Sequence, residues 1–163
     1  MKRRVAGAAL ACACAVVHAQ QPTFEVRSLT PETALTAARA ALEHCRKAGY
    51  QVGVAVVDRA GIPQVFLRDR LAGPHTVEVA LNKAWTAATF KIPTAALATE
   101  TQPGRPMSGL RSIPRVAAIA GGQPIEGAGV FVGGIGVSGS PGGDADDTCA
   151  AAGIKAIADA LNF

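Results

Sequence analysis

A glycine-rich stretch near the carboxyl end of the chain contains the residue types best suited to chemistry. Its sequence is GGIGVSGSPGGDADD, residues 133–147, between an apolar run and a predicted helix. Gly134, Gly136 and Gly139 have the G-x-G-x-x-G spacing of a dinucleotide-binding turn. That turn needs a parallel strand with an acidic residue after its helix, and no further strand is predicted here. A Walker-type phosphate loop is disfavoured too, because no lysine lies between Lys91 and Lys155 and three aspartates would repel phosphate.

The serines and aspartates of this stretch also fit other chemistries poorly. Ser138 lies in GVSGS, which has a serine where the G-x-S-x-G nucleophile turn has its second glycine. His44 and His75 both precede this serine, against the chain order of α/β-hydrolase triads, so a serine hydrolase is disfavoured. The three aspartates of DADD would suit calcium. Negative charge at the start of a helix explains them without a ligand, and we favour that interpretation.

Four helices are predicted around these residues. The first has Thr30 as its N-cap, Pro31 at its first position and an end near Lys47. The second is HTVEVALNKAWTAATF, with Thr76 as the predicted N-cap, and the short third helix, TAALATE, opens at Thr94. The fourth is DADDTCAAAGIKAIADALNF, which carries apolar residues on one face.

Two hairpins supply the predicted strands. QVGVAVVD and IPQVFLR form the first, from Gln51 to Arg68, and two runs within VAAIAGGQPIEGAGVFVGGIGVSG form the second. Residues 101–114 are rich in Pro, Gly and Ser and predict a loop. The element order is αββααββα with hairpins in place of βαβ crossovers, so we expect a mainly antiparallel sheet with helices on it.

The first nineteen residues have the pattern of a secretory signal peptide. A basic start is followed by an apolar stretch and the small-residue site Val17-His18-Ala19. The stretch is too short for a membrane span, which needs about 20 apolar residues. Residues 20–163 are then one domain in a periplasmic or secreted protein. Removing the three basic residues of the signal lowers the formal charge from +4 to about +1, so no nucleic-acid partner is predicted.

Two cysteines remain in the mature chain, Cys45 in the first helix and Cys149 in the last. In an oxidising compartment they can form a disulfide, stay as buried thiols, or supply one thiolate ligand. We favour two buried thiols over a disulfide, and a disulfide over a ligand.

Several motifs in fixed order resemble one protein family. VAVVDRAG, AGPHTVEVALNKAWTAATFKIPT, GGQPI and GGIGVSGSPGGDADDTCAAAGI occur in this order between Leu29 and Phe163. Together they are similar to the GlcG/HbpS-like family, the DUF336 or haem-degrading domain family, and above all to secreted members with Gly-Pro-His-Thr before the second helix. The resemblance implies an α/β fold of the α+β type, profilin-like, with a five-stranded antiparallel sheet flanked by helices. The residues themselves predict four strands, so a fifth is expected near residues 105–113.

The resemblance also implies a homo-oligomer that binds haem or another tetrapyrrole. Haem binding requires an axial donor, an apolar slot and usually a base for the propionates. His75, at the start of the second helix, is the predicted iron ligand and the one predicted metal ligand. The other residues predicted to contact the cofactor come from the hairpins and the second helix: Arg68, Thr76, Lys83, Gly136 and Ser138.

These residues also have structural interpretations. His75 could cap its helix or bond to a loop carbonyl. Arg68 could pair with a carboxylate of the ligand, but for this residue alone we favour an ordinary solvated charge. Lys83 is predicted to point inward or to pair with Glu78 or Asp58. Gly136 would let a flat ligand or another backbone come close, and Ser138 would offer a polar contact.

We therefore predict a periplasmic or secreted tetrapyrrole-binding protein that sequesters, senses or degrades haem, with unknown catalytic residues. One alternative is an enzyme or accessory protein acting on a small carboxylate, with Arg68, His75 and Ser138 lining its pocket. The other is a structural subunit of an oligomer without a small ligand.

Overall fold

The structure, a computed structural model, describes residues 21–162, so the predicted signal peptide lies outside the described residues. Eight main elements follow one another in the predicted order. They are α1 Pro31–Lys47, β1 Gly53–Asp58, β2 Pro63–Arg68, α2 His75–Phe90, α3 Thr94–Glu100, β3 Gly122–Gly127, β4 Val130–Ser138 and α4 Gly143–Ile157. Short 3-10 helices occupy Ser108–Ser112 and Asp159–Leu161.

The four strands form one antiparallel sheet in the order β2-β1-β4-β3. The two hairpins therefore meet through their inner strands, β1 and β4, in a register that pairs Gly53 with Ser138 and Asp58 with Gly133. Both inner strands are almost entirely buried, because helices cover both faces of the sheet.

Two apolar layers hold the helices on the sheet. The layer under α1 and α4 includes the β1 and β4 side chains Val54, Val56, Ile135 and Val137. The layer under α2 is smaller and rich in alanine. Small residues on both sides let α2 come very close to β4: a Cβ atom at Gly136 would lie 2.2 Å from the carbonyl oxygen of Ala80.

The α+β, antiparallel architecture is confirmed, and two details of the prediction are wrong. The sheet has four strands among the described residues, and the region expected to supply a fifth contains the 3-10 helix Ser108–Ser112. Its backbone turns on itself with local hydrogen bonds from Ser108 to Arg105 and from Ile113 to Leu110, which leaves no extended edge to pair. Helix α2 begins at His75 with Pro74 as its N-cap, so Thr76 is not the cap residue.

The two cysteines form a disulfide that joins α1 to α4. Cys45 and Cys149 have Cα atoms 5.6 Å apart and are both buried. The expectation of two free thiols is therefore wrong, although their burial was correctly predicted. The reason is geometric: α1 and α4 pack side by side on one face of the sheet, which brings together two residues 104 positions apart in sequence.

None of the helices in residues 21–162 combines the length and hydrophobicity that a membrane span requires.

Candidate functional site

A cavity of about 330 Å³ lies where α2 begins, β4 ends and α4 begins. Its apolar lining residues are Val79, Ile119 and Ala120. The glycine-rich turn, Ser138 and a buried ion pair also line it. Its lining is His75, Val79, Lys83, Ile119, Ala120, Ser138, Gly139, Ser140, Gly142, Gly143 and Asp146. The site thus combines an apolar surface with a small number of convergent polar groups, as small-molecule sites do.

His75 lies at the edge of this cavity with an exposed side chain. Its ring packs over Gly73, where a Cβ atom would lie 2.7 Å from Cε1 and 2.8 Å from Nδ1. Neither ring nitrogen makes a hydrogen bond to another residue in the described part of the chain. His75 therefore does not bond to a loop carbonyl, and its nitrogens remain available to a ligand.

The loop that carries His75 is fixed by hydrogen bonds from three side chains. Arg68 donates from Nη2 to the Ala72 carbonyl at 2.5 Å, and Thr76 donates from its hydroxyl to the Gly73 carbonyl at 2.7 Å. Arg46 of α1 binds the buried Asp69 at the start of this loop through Nε, at 2.7 Å. The hydrogen bond to Asp69 raises the pKa of Arg46, so the guanidinium stays charged.

A buried ion pair closes the inner end of the cavity. Lys83 Nζ lies 2.8 Å from Asp146 Oδ2, and the two side chains are only 3% and 5% exposed. Lys83 also donates to the Val137 carbonyl at 2.9 Å. The other carboxylate oxygen, Asp146 Oδ1, accepts from the hydroxyl of Ser140 at 2.5 Å and from its backbone amide at 3.1 Å.

This network joins α2 to two later elements, β4 and α4, that are distant from it in sequence. Lys83 belongs to α2, Val137 to β4 and Asp146 to the first turn of α4, while Ser140 lies in the turn between the last two. That turn passes through Gly139, whose φ of +129° disfavours any side chain. The network therefore fixes the shape of the glycine-rich wall of the cavity.

Of the six residues predicted to contact a cofactor, His75, Lys83 and Ser138 line the cavity. Arg68, Thr76 and Gly136 do not. Arg68 and Thr76 support the His75 loop, and Gly136 is covered by α2 rather than facing a ligand. Of the two alternatives for Lys83, the inward orientation is confirmed, since the residue is 2% exposed. The pairing with Glu78 or Asp58 is wrong, because its partner is Asp146.

Sequence reasoning missed Asp146 as a member of the site. The DADD run is interpreted as charge at a helix start, and Asp144 and Asp146 do lie in the first turn of α4, but Asp146 is also buried and pairs with Lys83. A signal was present in the sequence, since a lysine within the apolar pattern of α2 needs a buried partner. The identity of that partner depends on how α4 packs, which periodicity cannot give.

The fold and the cavity define a small α+β domain with a ligand-sized cleft between helices and the end of a sheet. The model of the family described as "Haem degrading protein HbpS-like" matches residues 29–155. The chain belongs to this family.

Solved structures of relatives share the fold along nearly their whole length. A double mutant of Streptomyces reticuli HbpS is 42% identical, with a TM-score of 0.77 over 88% of this chain and 97% of that one. Klebsiella pneumoniae ORFY, a DUF336 protein, is 26% identical, with a TM-score of 0.81 over 85% and 96%. A PduOC:heme complex is 32% identical, with a TM-score of 0.76 over 80% and 95%.

Among curated proteins, the corrinoid adenosyltransferase PduO of Salmonella typhimurium strain LT2 is 34% identical over 129 residues. The match covers 78% of this chain but only 38% of that protein. This chain thus matches about two fifths of that relative's length.

Proposed function

We propose that this protein binds haem in the cavity between α2, β4 and α4, with His75 as the ligand of the iron. The observation that carries the proposal is the His75 ring, which lies at the cavity edge and makes no hydrogen bond to any described residue. An imidazole with an unpaired nitrogen is a common axial ligand of haem iron. Family membership and the similarity to a PduOC:heme complex support the same ligand.

The residues of the cavity fit a haem group. Val79, Ile119 and Ala120 offer an apolar surface to a flat macrocycle, and Lys83 and Ser138 offer polar contacts at the inner end. The volume of about 330 Å³ is near the lower limit of small-ligand cavities, which is about 300 Å³. A bound macrocycle would therefore also contact exposed side chains at the mouth, where Ile119 is 50% exposed.

In this proposal the protein sequesters, senses or degrades haem. Bound haem supplies redox chemistry through its iron. The chain's own residues hold the group: His75 binds the metal, Arg68 and Thr76 fix the loop that carries His75, and the Lys83–Asp146 pair holds the opposite wall in place.

We also propose that residues 20–163 are the mature domain and that it acts in the periplasm or outside the cell. The signal-like pattern of residues 1–19 and the Cys45–Cys149 disulfide support this, since structural disulfides persist in oxidising compartments. Expression of the full chain in a bacterial host should yield an exported protein that begins at Gln20. A cytoplasmic protein that retains Met1 would contradict the proposal.

A homo-oligomer is proposed as well. Large apolar side chains are exposed on the single chain, among them Phe24 at 86%, Leu71 at 78% and Ile62 at 60%. Contiguous exposed apolar surface often marks a contact with another protein, and Phe24 and Val26 together line one surface pocket. Light scattering of the purified protein should give a mass that is a multiple of the chain mass, and a monomer would contradict the proposal.

The haem proposal is tested by titration with haemin. Wild-type protein should give a shifted Soret band that saturates at a fixed ratio of haem to chain. His75→Ala should lose or shift this band, because the proposed iron ligand is removed. His44→Ala is the matched control, since His44 is exposed on α1 and does not line the cavity. An unchanged spectrum in His75→Ala would exclude His75 as the ligand, and a weak band that never saturates would exclude a specific site.

A further inference from the structure

Ser138 is a buried residue whose hydroxyl has no hydrogen-bond partner among the described residues. The residue is 5% exposed, lies at the end of β4 and lines the cavity, yet its side chain makes no hydrogen bond to another residue in 21–162. Gly134 and Gly136 face α2, so Ser138 faces the same side because alternate residues of a strand share a face. Buried hydroxyls normally have a hydrogen-bond partner. The Ser138 hydroxyl is directed at the cavity, where a bound ligand can supply a hydrogen-bond partner.

The start of α4 brings further donors to the same wall. The first amides of a helix have no partner within it, and the N-cap residue Gly142 offers no side chain to satisfy them. Gly142 and Gly143 both line the cavity, and within the described chain their N–H groups donate no hydrogen bond. These amides lie at the positive end of the helix dipole, which favours an anion.

Lys83 contributes a third kind of donor. An ammonium group carries three protons. Two of those on Lys83 Nζ are donated, one to the Val137 carbonyl and one to Asp146 Oδ2. One proton remains, and Lys83 is part of the cavity lining. Asp146 already accepts three hydrogen bonds, one on Oδ2 from Lys83 and two on Oδ1 from Ser140, so the pair offers the cavity one further donor, the third proton of Lys83.

We propose that this inner end of the cavity is a carboxylate-binding subsite, formed by the Ser138 hydroxyl, the Lys83 ammonium and the first amides of α4. Three aspartates at the start of α4, Asp144, Asp146 and Asp147, repel a singly charged carboxylate less than a doubly charged phosphate, so the surroundings favour the carboxylate of the two. The inference deepens the proposed haem function and rests on it when the carboxylate is a haem propionate. The same subsite could take the carboxylate of a free organic acid.

The experiment compares haemin with its dimethyl ester, which lacks free carboxylates, in the same mixed solvent. Wild-type protein should bind the ester about tenfold or more weakly, because hydrogen bonds to a charged group are lost. Ser138→Ala should weaken haemin binding several-fold and leave the ester nearly unaffected, whereas Ser138→Thr, which keeps the hydroxyl, should restore part of the difference. Ser108→Ala is the matched control in a 3-10 helix outside the cavity lining. Equal urea midpoints for the variants would show that they fold.

A second arm separates this inference from the haem proposal. If haemin binds through His75 but the ester binds equally well and Ser138→Ala has no effect, the subsite is wrong and the haem proposal stands. If haemin does not bind but propionate raises the melting temperature of wild type and not of Ser138→Ala, the subsite is supported for free acids and the haem proposal is wrong. If neither ligand binds, both proposals are wrong.

Discussion

The buried pair of Lys83 and Asp146 gives the sharpest prediction about stability. Its atoms are 2.8 Å apart, and its side chains are 3% and 5% exposed, so either charge is poorly solvated when the other is removed. Breaking a buried pair by removing one partner typically costs about 3–5 kcal/mol of unfolding free energy. Replacing both partners together avoids the uncompensated charge and should cost much less than the two single losses combined.

The surroundings predict which single change costs more. In Lys83→Met the carboxylate of Asp146 keeps two donors from Ser140, so the loss should be near the lower value, about 3 kcal/mol. In Asp146→Asn the ammonium of Lys83 keeps the Val137 carbonyl and loses its counter-charge, so the loss should be larger, up to about 5 kcal/mol.

Urea unfolding monitored by circular dichroism measures these losses. With a slope of about 2 kcal/mol per molar urea, a loss of 3–5 kcal/mol lowers the midpoint by about 1.5–2.5 M. The two single variants and the double variant form a cycle, in which we expect a coupling energy of about 2 kcal/mol or more. Glu100→Gln is the control, because its pair with Arg105 is 3.5 Å long and half-exposed and should be worth about 0–1 kcal/mol. Single losses below about 1 kcal/mol that add in the double variant would refute the reasoning.

Two further changes test the packing around the site. Replacing Cys45 and Cys149 together by alanine removes a cross-link between residues 104 positions apart in sequence. The unfolding free energy should fall by about 4–5 kcal/mol at most. Reduced and oxidised wild type serve as the comparison, and equal urea midpoints would contradict a structural disulfide. Gly136→Ala should lower the unfolding free energy by about 1–3 kcal/mol or more, because the added Cβ would lie 2.2 Å from the Ala80 carbonyl oxygen. Gly109→Ala is the control: a Cβ at Gly109 meets open space, so its urea midpoint should be nearly unchanged.

Most of the fold could be predicted from the sequence because its signals are local. The cap and first-turn residues of α1, Thr30 and Pro31, and the apolar periodicity of the helices placed the elements close to their observed bounds. The hairpins followed from short β-rich runs separated by glycine turns. The predicted fifth strand is wrong. That prediction rested on the family resemblance, whereas the proline- and glycine-rich composition of residues 101–114 predicts a loop.

The candidate site was predictable only in part. The sequence pointed to His75, Lys83 and Ser138, three residues that line one cavity. It assigned Arg68 and Gly136 to the ligand as well, and both have structural contacts outside the lining. The residues that neighbour a side chain in sequence do not determine whether that side chain faces a cavity or a packed helix.

By itself the sequence determined the order of the elements, the antiparallel sheet and the residues available for chemistry, because capping, periodicity and turn formation act over a few residues. Only the tertiary structure decided which distant groups meet. Cys45 forms a disulfide with Cys149 because α1 and α4 share a face of the sheet. Lys83 pairs with Asp146 because α2 and the start of α4 meet at the end of β4. Contacts of this kind depend on packing across the whole domain, which local sequence preferences leave undetermined.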